Sequence, residues 1–395
     1  MKADLVLARA PNLTLDVLSN GVVAYPAGRK VRCGPHGLAI LAAFETPRRY
    51  GDVIAELGKH AATPADWIAL TASIQEMVQL GALRDVARID EAPDAPTTGY
   101  EHPGIHIEML NDKERTAAFI RGIKAVVKPG DVVVDIGTGT GVLAIAAAQA
   151  GAARVYAIEA SRIADAAEAV IRGNGLQDRV SVVRGWSTRV ELPERADVLV
   201  TEMIGHEPLA EDALLVTWDA RKRLLKEGAR MVPRALRMYA YPAILPEDER
   251  GKAFFTEAST LAWKSWYGID FSALLGLGGP RGYTVETQEV KSWTALAEPA
   301  LIGAVDFTTC DTIVELKGGG KITRAGHIGA IVLYFDLELA PGVVLSTAPA
   351  ACAASNHWRT PVWFPSGLPD VAPGQAWEVS YRHSKPMGDL DVCIR

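Results

Sequence analysis

The stretch from Asp131 to Ser161 constrains the fold more than any other part of the chain. Three consecutive valines and Ile136 form a run that is too apolar for a half-exposed strand, which predicts an interior strand of a parallel sheet. The run breaks at a series of glycines, and strong helix formers follow from Val142 to Ala150. The predicted order is strand, glycine turn and helix. Such a turn lets a ligand lie against bare backbone.

A second strand is predicted from Arg154 to Ile158, and it ends at Glu159. An acid about twenty residues after the glycines begin can accept hydrogen bonds from both hydroxyls of a ribose, which predicts a nucleoside ligand. A dinucleotide site is the alternative. Its G-x-G-x-x-G spacing, however, requires a glycine where this chain has Val142.

The glycine turn reads D-x-G-x-G-x-G, with Asp135 followed by Gly137, Gly139 and Gly141. It resembles motif I of the class I S-adenosylmethionine (SAM) methyltransferases. The resemblance implies a Rossmann-like sheet, SAM as the methyl donor and S-adenosyl-L-homocysteine as the product. It also implies that these four residues and Glu159 bind the cofactor. An ordinary strand, turn and helix with chance glycines is the alternative.

Length and composition indicate a globular protein with more than one domain. The 395 residues exceed one typical domain of about 100–200 residues, and 49% are hydrophobic. The net charge of −6, without a dense block of lysine or arginine, argues against a nucleic-acid partner. Four cysteines without C-x-x-C spacing predict neither a zinc site nor a disulfide framework. No apolar run reaches the length of about eighteen residues that a membrane span needs, so we expect a cytoplasmic protein without a metal.

Residues 1–86 are predicted to form a small domain of their own. Ser19-Asn20-Gly21 lies between the apolar segments Leu13–Leu18 and Val22–Tyr25, which predicts a β-hairpin. Thr63 is a predicted N-cap. Helical spacing of apolar residues predicts three helices, over His36–Phe44, Tyr50–Leu57 and Pro64–Leu83.

This order, with the segments GVVAYPAGRKVRCGPHGLAILAAF and YGDVIAELGKHAATPADW, resembles the PqqD-like fold. That fold is a winged-helix-type element that binds leader peptides of ribosomally synthesised, post-translationally modified peptides (RiPPs). The resemblance implies a precursor peptide as partner. A structural or dimerising winged helix is one alternative and DNA binding another, although the helices do not concentrate basic residues on one face. Residues 87–99, ARIDEAPDAPTTG, are predicted to be a linker.

The segment IHIEMLNDKERT lies in a predicted helix that runs from Ile105 to Val127. It resembles the segment upstream of motif I in protein arginine methyltransferases, whose pattern is I-H-x-E-M-L-x-D-x-x-R-T. The resemblance implies that Arg115 pairs with the methionyl carboxylate of SAM and that Met109 borders the sulfonium and the target nitrogen. It further implies that Asp112 orients a histidine of the C-terminal domain. A surface amphipathic helix is the alternative.

Two departures from the family pattern concern the cofactor. Tyr100 stands at the spacing of a family tyrosine and is expected to bind SAM, but Pro96 and Thr97 replace the aromatic pair before it. Ser187 and Thr188 stand where many relatives carry an acid against the adenine. Their hydroxyls would have to provide that contact.

The segment TEMIGHEPLAEDAL follows a strand predicted over Asp197–Thr201 and holds Glu202 and Glu211 across a turn at Gly205. The carboxyl ends of parallel strands are where α/β sheets bind ligands. Two carboxylates can hold a planar guanidinium by paired N–H···O bonds and localise its charge away from the attacking nitrogen. The segment resembles the double-glutamate loop S-E-W-M-G-Y-x-L-x-x-E of protein arginine methyltransferases. The resemblance implies that both glutamates are catalytic.

Three residues of this loop differ from the family pattern. Met203 and His206 replace a tryptophan and a tyrosine, and Glu207 adds a third acid. We expect His206 and Glu207 to bind the substrate. These changes could admit another nitrogen nucleophile, such as a histidine imidazole, for which one carboxylate would act as base.

Beyond Arg221 the pattern becomes mostly strand with Pro and Gly between the strands, which predicts an antiparallel, barrel-like domain. This part resembles the C-terminal domain of the same family. Asn356-His357-Trp358 stands where the family has Thr-His-Trp, so His357 is expected to contact Asp112 as a catalytic residue and Trp358 to wall the target pocket. The segment WYGIDFSAL resembles the start of the family's dimerisation arm and implies a homodimer. Core packing explains its aromatic residues equally well.

These segments together predict an α/β protein with three parts and a linker. A winged-helix-type α+β domain, residues 1–86, and the linker, 87–99, precede a Rossmann-like sheet, 100–231, and a β-barrel-like domain, 232–395. The expected function is SAM-dependent N-methylation of a ribosomal precursor peptide, on arginine or alternatively on histidine. An inactive peptide-binding module is the alternative from another class. The retained charged residues argue against it, because decay is not expected to spare them.

Overall fold

The structure, a computed structural model, describes residues 3–10, 13–18, 21–25, 31–33, 36–61, 63–86, 102–277, 279–365, 367, 369–383 and 388–394. The predicted linker and Tyr100 lie outside these ranges. The chain divides after Thr98 into two units, residues 1–98 and 99–395.

The N-terminal unit contains two small antiparallel sheets and three helices within its described ranges. Its elements are β1 Val6–Arg9, β2 Thr14–Leu18, β3 Gly21–Tyr25, β4 Val31–Cys33, α1 Gly37–Ala43, β5 Arg48–Arg49, α2 Tyr50–Leu57, α3 Pro64–Gln79 and β6 Leu83–Asp85, with a 3₁₀ turn at Gly58–His60. The sheets have the orders β5-β1-β6 and β2-β3-β4. Buried side chains of β1, β3 and all three helices form one core.

The predicted hairpin and the three helices are present, with two differences. β2 and β3 pair antiparallel, but β4 extends them to a three-stranded sheet. The hairpin turn at Ser19 and Asn20 lies outside the described residues. Thr63 caps α3 in a capping box with Asp66 as predicted. α3 ends at Gln79 rather than Leu83, because Gly81 adopts a left-handed φ of 81° and Leu83 begins β6.

The second unit begins with two helices and a parallel sheet. Its elements are α4 Pro103–Asn111, α5 Lys113–Val126, β7 Val132–Ile136, α6 Val142–Gln149, β8 Arg154–Glu159, α7 Ala164–Gly173, β9 Val180–Arg184, β10 Ala196–Thr201, α8 Ala213–Arg223 and β11 Leu225–Val232. The strand order is β11-β10-β7-β8-β9, and every neighbouring pair is parallel. β7 is central and buried along its whole length, as its valine run predicts.

The predicted single helix over Ile105–Val127 is wrong in one respect. The chain forms two helices, which meet at Asp112. The Asp112 carboxylate accepts a hydrogen bond from the Arg115 N–H at 3.1 Å and so caps α5. An aspartate in a helical pattern can therefore mark a new helix start rather than an interior position.

The rest of the second unit is mostly antiparallel sheet. Its elements are β12 Ala235–Ala243, α9 Glu247–Ala253, α10 Glu257–Tyr267, β13 Gly282–Val285, α11 Thr287–Val290, β14 Ala300–Asp306, β15 Val314–Lys321, β16 Gly326–His327, β17 Ala330–Ala340, β18 Val343–Ser346, β19 Thr360–Trp363, β20 Asp370–Val371, β21 Ala376–His383 and β22 Gly388–Ile394, with a 3₁₀ turn at Ser272–Gly276. The larger sheet has the order β13-β19-β17-β12-β14, with β18 on β17, and a second sheet has the order β15-β21-β22.

One hydrophobic core runs through the second unit and joins residues of the parallel sheet to residues of the antiparallel sheets. β11 ends at Val232 and β12 begins at Ala235, so the two sheets follow one another almost directly along the chain. In the described part of the chain, no helix is long and apolar enough to cross a membrane.

Candidate active site

The glycine turn after β7 has the backbone that its sequence predicts. Gly137, Gly139 and Gly141 have φ values of 74°, 54° and 84°, a left-handed region in which side chains are strained. A Cβ on Gly139 would come within 3.3 Å of the His106 ring, and one on Gly137 within 3.2 Å of the Met203 side chain. The turn is therefore bare backbone closely covered by α4 and by the segment after β10.

Glu159 fixes the shape of this turn from the end of β8. Its Oε2 accepts a hydrogen bond from the Gly139 N–H at 2.9 Å, and its Oε1 accepts one from the Ser161 N–H at 2.8 Å. The side chain is buried. A carboxylate has about four lone-pair positions, so it can still accept hydrogen bonds from two ribose hydroxyls.

Asp135, at the end of β7, is buried beside the turn. Its Oδ2 accepts a hydrogen bond from the Thr138 hydroxyl at 2.5 Å. Burial raises the pKa of Asp135 to about 7, and the neighbouring charges of Glu159 and Glu202 act in the same direction. This carboxyl therefore changes its charge near neutral pH.

Arg115 and Glu202 form a buried ion pair between α5 and the end of β10. Both side chains are 7% exposed. Met109 lies beside this ion pair. Its carbonyl oxygen is 3.5 Å from Arg115 Nη1, and its sulfur is 3.8 Å from Nη2. Removing one member of a buried pair leaves an uncompensated charge and costs about 3–5 kcal/mol. The expected cofactor-binding arginine and an expected catalytic glutamate are thus direct partners.

The site contains several buried polar atoms without a hydrogen-bond partner. Such atoms occur on six side chains among the described residues, and four of these, Arg115, Asp135, Ser161 and Glu202, belong to this site. Each unpartnered buried group costs about 1–3 kcal/mol. A guanidinium nitrogen, a hydroxyl and two carboxylate oxygens suit a ligand that has both a carboxylate and cationic or hydroxyl groups. SAM has all of these, so the residues fit it.

The segment from Glu202 to Glu211, here called the acceptor loop, is held by the antiparallel part of the unit. The Trp358 indole donates to the Ile204 carbonyl oxygen at 2.8 Å, and the Arg359 N–H donates to His206 Nδ1 at 3.1 Å. A third hydrogen bond joins the Tyr381 hydroxyl to Glu207 Oε1 at 2.5 Å. These contacts connect the loop to residues more than 150 positions further along the chain.

Gly205 lies at the centre of the acceptor loop. A Cβ at this position would come within 2.9 Å of the Glu207 carbonyl oxygen and 3.1 Å of Glu211 Oε1. The Ala210 N–H donates to the same Glu207 carbonyl at 3.0 Å. The loop therefore folds back so that the Glu211 side chain packs on Gly205.

Asp112 and His357 are in contact. Asp112 Oδ2 accepts a hydrogen bond from the His357 N–H at 3.0 Å and lies 2.9 Å from His357 Nδ1. Burial alone would raise the pKa of Asp112, but the hydrogen bonds from His357 and Arg115 outweigh burial and lower it. The carboxylate stays ionised and holds the histidine.

The residues expected to wall the target pocket or to bind the substrate, Trp358, His206 and Glu207, contact other residues of the protein. Trp358 is 2% exposed and packs in the core edge-to-face with Phe335. His206 accepts the Arg359 N–H, and burial, together with the nearby charges of His357 and Arg359, lowers its pKa. Glu207 faces Tyr381. Their contacts with a substrate stay predictions.

Ser187 and Thr188 differ in their environment. Ser187 is buried, and its carbonyl oxygen accepts a hydrogen bond from Arg223 at 2.6 Å, whereas Thr188 is exposed. Tyr100 lies outside the described residues. Adenine and cofactor contacts of these three residues stay predictions.

The site also contains residues for which no role is predicted from the sequence. His106 is buried against Gly139, Thr138 holds Asp135, and Ser161 and Tyr381 contact the expected site acids. His106 lies inside the segment IHIEMLNDKERT, and this position in a family-like segment could have identified it. Tyr381 lies in an ordinary alternating strand, where nothing in the sequence marks it.

Two family models and several known proteins are similar to this chain. The family model "Ribosomal protein L11 methyltransferase (PrmA)" matches residues 112–232, and "Arginine methyltransferase oligomerization subdomain" matches residues 252–395. A probable protein arginine N-methyltransferase 6 of Arabidopsis thaliana is 31% identical over 311 residues, which cover 75% of this chain and 67% of that protein. Protein arginine N-methyltransferase 6 of Danio rerio is 32% identical over 285 residues, covering 69% of this chain and 79% of the relative.

This chain belongs to the protein arginine N-methyltransferase family. A solved structure of the Trypanosoma brucei PRMT1 enzyme-prozyme heterotetrameric complex with AdoHcy has the same fold, with a TM-score of 0.64, 24% identity and coverage of 75% of this chain and 94% of that one. The protein is a SAM-dependent N-methyltransferase, as the sequence predicts. It has a Rossmann-like domain followed by a β-rich domain.

Proposed function

We propose that this enzyme methylates an arginine side chain of a ribosomally synthesised precursor peptide. The single observation that carries the arginine assignment is the acceptor loop, which bears Glu202 and Glu211 on either side of Gly205 at the carboxyl end of β10. Two carboxylates match the fork of N–H donors on a guanidinium. The names of the curated relatives agree with this substrate class.

In this proposal the two ends of the site have separate tasks. When bound, SAM would supply a methyl group on its cationic sulfonium; the methyl would pass in line to the target nitrogen as S-adenosyl-L-homocysteine leaves, and the methylated nitrogen would lose a proton to water. Glu159 would hold the ribose, and Arg115, which also pairs with Glu202, would take the methionyl carboxylate. Glu202 and Glu211 hold the guanidinium and leave one nitrogen free to attack, so catalysis is mainly positioning and electrostatics. Asp112 and His357 fix the neighbouring segment.

The N-terminal unit is proposed to bind the leader of the precursor. Among the described residues of the unit, the outer edges of the sheet β2-β3-β4 pair with no further strand, and an extended peptide can add to such an edge. Leu38, Trp67 and Ile68 are 50%, 42% and 65% exposed, so the helices α1 and α3 offer apolar contacts. A leader held there raises the local concentration of the core peptide to about the millimolar range through a short connection.

The comparison of full-length and truncated enzyme tests the leader assignment. An enzyme lacking residues 1–96 is expected to bind SAM and to methylate a leaderless core peptide slowly, while it loses its preference for the full precursor. Methyl transfer is measured on precursor and core peptides with both enzymes. An unchanged precursor preference after truncation means that the N-terminal unit is structural.

Histidine is the second candidate for the methylated residue. The observation in its favour is that Met203 and His206 occupy the loop positions where the family pattern has a tryptophan and a tyrosine. A histidine imidazole needs only one carboxylate as base. Tandem mass spectrometry of the product locates the methyl group. If it lies on histidine and only one of Glu202 and Glu211 is needed, the arginine assignment is wrong.

A homodimer is also proposed, through the segment from α10 to the following 3₁₀ turn. Leu261, Trp266, Tyr267 and Ile269 are 55–67% exposed, which a core-packing role does not explain. The match to the oligomerization subdomain supports a dimer. Light scattering of the wild type and of Trp266→Glu tests it, and a monomeric wild type contradicts it.

A further inference from the structure

A buried hydroxyl in the antiparallel sheet is tied to the acceptor loop. Tyr381 on β21 is 1% exposed, and its hydroxyl donates to Glu207 Oε1 at 2.5 Å. The phenolic oxygen also lies 3.4 Å from His383 Nδ1, and that nitrogen lies 4.0 Å from Glu207 Oε1. Three polar side chains of low exposure thus meet beneath the loop.

The charge states in this cluster favour a permanent hydrogen bond. Burial, and then the charge of Glu207, raise the pKa of Tyr381, so the phenol keeps its proton. Burial lowers the pKa of His383, so this ring stays neutral near neutral pH. A neutral phenol that donates to a carboxylate forms a charge-assisted bond, which is stronger than a bond between two neutral groups.

The backbone connects this hydrogen bond to Glu211. The Glu207 carbonyl oxygen accepts from the Ala210 N–H and closes the turn that leads to Glu211. The same carbonyl and the Glu211 side chain both pack on Gly205. A shift of Glu207 therefore moves the turn and, with it, the glutamate that follows.

We propose that Tyr381 is a positioning residue for methyl transfer, which acts by holding Glu207 and hence the turn that places Glu211. The inference rests on the proposed role of Glu211 toward the target nitrogen. The acceptor loop is joined to its own parallel sheet by Glu202 at one end and by α8 at the other. Between them, Tyr381 supplies the side-chain hydrogen bond to the residue that begins the turn.

Tyr381→Phe removes the hydroxyl and keeps the ring. Hydrogen exchange of the backbone amides of residues 204–210 needs no substrate, and we expect it to become about tenfold faster, as for the loss of one bond to a charged group. Turnover of an arginine-containing peptide is expected to fall by about tenfold, while calorimetry finds the SAM affinity within about twofold of wild type.

The matched control is Tyr283→Phe. Its hydroxyl also donates to a buried glutamate of the same unit at 2.9 Å, but this partner, Glu249, lies on α9 and not in the acceptor loop. This variant is expected to leave exchange of residues 204–210 and turnover unchanged. An equal effect of both variants would mean general destabilisation and would overturn the inference.

A double-mutant cycle with Glu207→Ala tests the route. If Tyr381 acts through Glu207, then Tyr381→Phe adds nothing to loop exchange or turnover in the Glu207→Ala background, whereas additive effects overturn the route. Unchanged exchange and turnover in Tyr381→Phe itself also overturn it. If loop exchange rises but Glu211→Gln retains full turnover, the failure lies in the proposed role of Glu211 and not in the anchoring of the loop.

Discussion

The cofactor end and the acceptor end of the active site are held in different ways. At the cofactor end, Glu159 binds Gly139, 20 positions away, and Ser161, 2 positions away, so a single strand-turn-helix-strand unit supplies its own supports. At the acceptor end, the supports of the loop lie 153, 154 and 174 positions along the chain. The supports of Glu159 are local, whereas the supports of the acceptor loop lie in the antiparallel domain, and the Arg115–Glu202 ion pair joins the two ends.

Because of this difference, we expect substitutions at the two ends to change different quantities, SAM affinity at one end and turnover at the other. Changes at the glycine turn should act on SAM affinity, because the turn forms from the sequence around it. Changes in the acceptor loop should act on turnover while SAM still binds. A variant that alters both quantities equally would contradict the separation.

The largest effect is expected from the loop acids. Glu211→Gln and Glu202→Gln should each reduce turnover by about a hundredfold or more, because each removes a charge that acts on the nucleophile in the proposed mechanism. SAM should still bind to both, as measured by calorimetry, with unchanged affinity in Glu211→Gln and altered affinity in Glu202→Gln, which removes the ion-pair partner of Arg115. Normal turnover in both variants would remove these residues from the mechanism and erase the distinction between the two ends.

The converse change is Glu159→Ala. It removes the proposed acceptor for both ribose hydroxyls and two backbone hydrogen bonds of the turn, so SAM should bind about 10- to 100-fold more weakly. At saturating SAM, turnover should recover most of its wild-type value. Wild-type SAM affinity in this variant would show that Glu159 is not the ribose acid.

A smaller and purely geometric test is Gly205→Ala. The added Cβ has no space beside the Glu207 carbonyl and Glu211 Oε1, so the loop must shift without any loss of charge. Turnover should fall by about tenfold, since small displacements of positioned groups are costly, while SAM affinity stays constant. Gly228→Ala, at a position where an added Cβ meets no atom within 4 Å but φ is 71°, controls for unrelated backbone strain. Equal losses in both variants would argue against a positional effect.

The smallest effect concerns Asp135 and pH. Its native pKa is about 7, above the unfolded value of about 3.9, so between these values the native state holds the extra proton. Stability of the SAM-free enzyme should therefore fall as pH rises through this window, by up to about 1.4 kcal/mol per pH unit, and level off above it. Cationic SAM should bind a few-fold more tightly at pH 8 than at pH 6, since the ionised carboxylate favours it.

Urea unfolding and calorimetry at several pH values measure both quantities. Asp135→Asn cannot ionise and should abolish both dependences. A pH dependence that survives this substitution must come from another group.

How much the sequence predicts follows the same division. The valine run, the three glycines and Glu159 could be placed from local pattern, because the turn and the hydrogen bonds that Glu159 accepts are formed within that stretch. The partners of Glu207 and His206 could not, because Tyr381 lies in an ordinary alternating strand and Arg359 lies just after the family-like segment Asn356-His357-Trp358. Asp112 misled the helix prediction for the same reason: its side chain serves a cap and a distant histidine, and neither appears in hydrophobic spacing.

The short passage from β11 to β12 has a consequence for how substrates exchange. Only Pro233 and Arg234 separate β11 from β12, and one core packs against both sheets, so we expect the two sheets to move as one body. We then expect SAM to enter and its product to leave through movement of the elements that cover the glycine turn. The main one is α4, whose Ile107 and Leu110 are 57% and 45% exposed. We expect α4 to be the gate of the enzyme, with backbone amides that exchange faster than those of β7 and slow down when SAM binds.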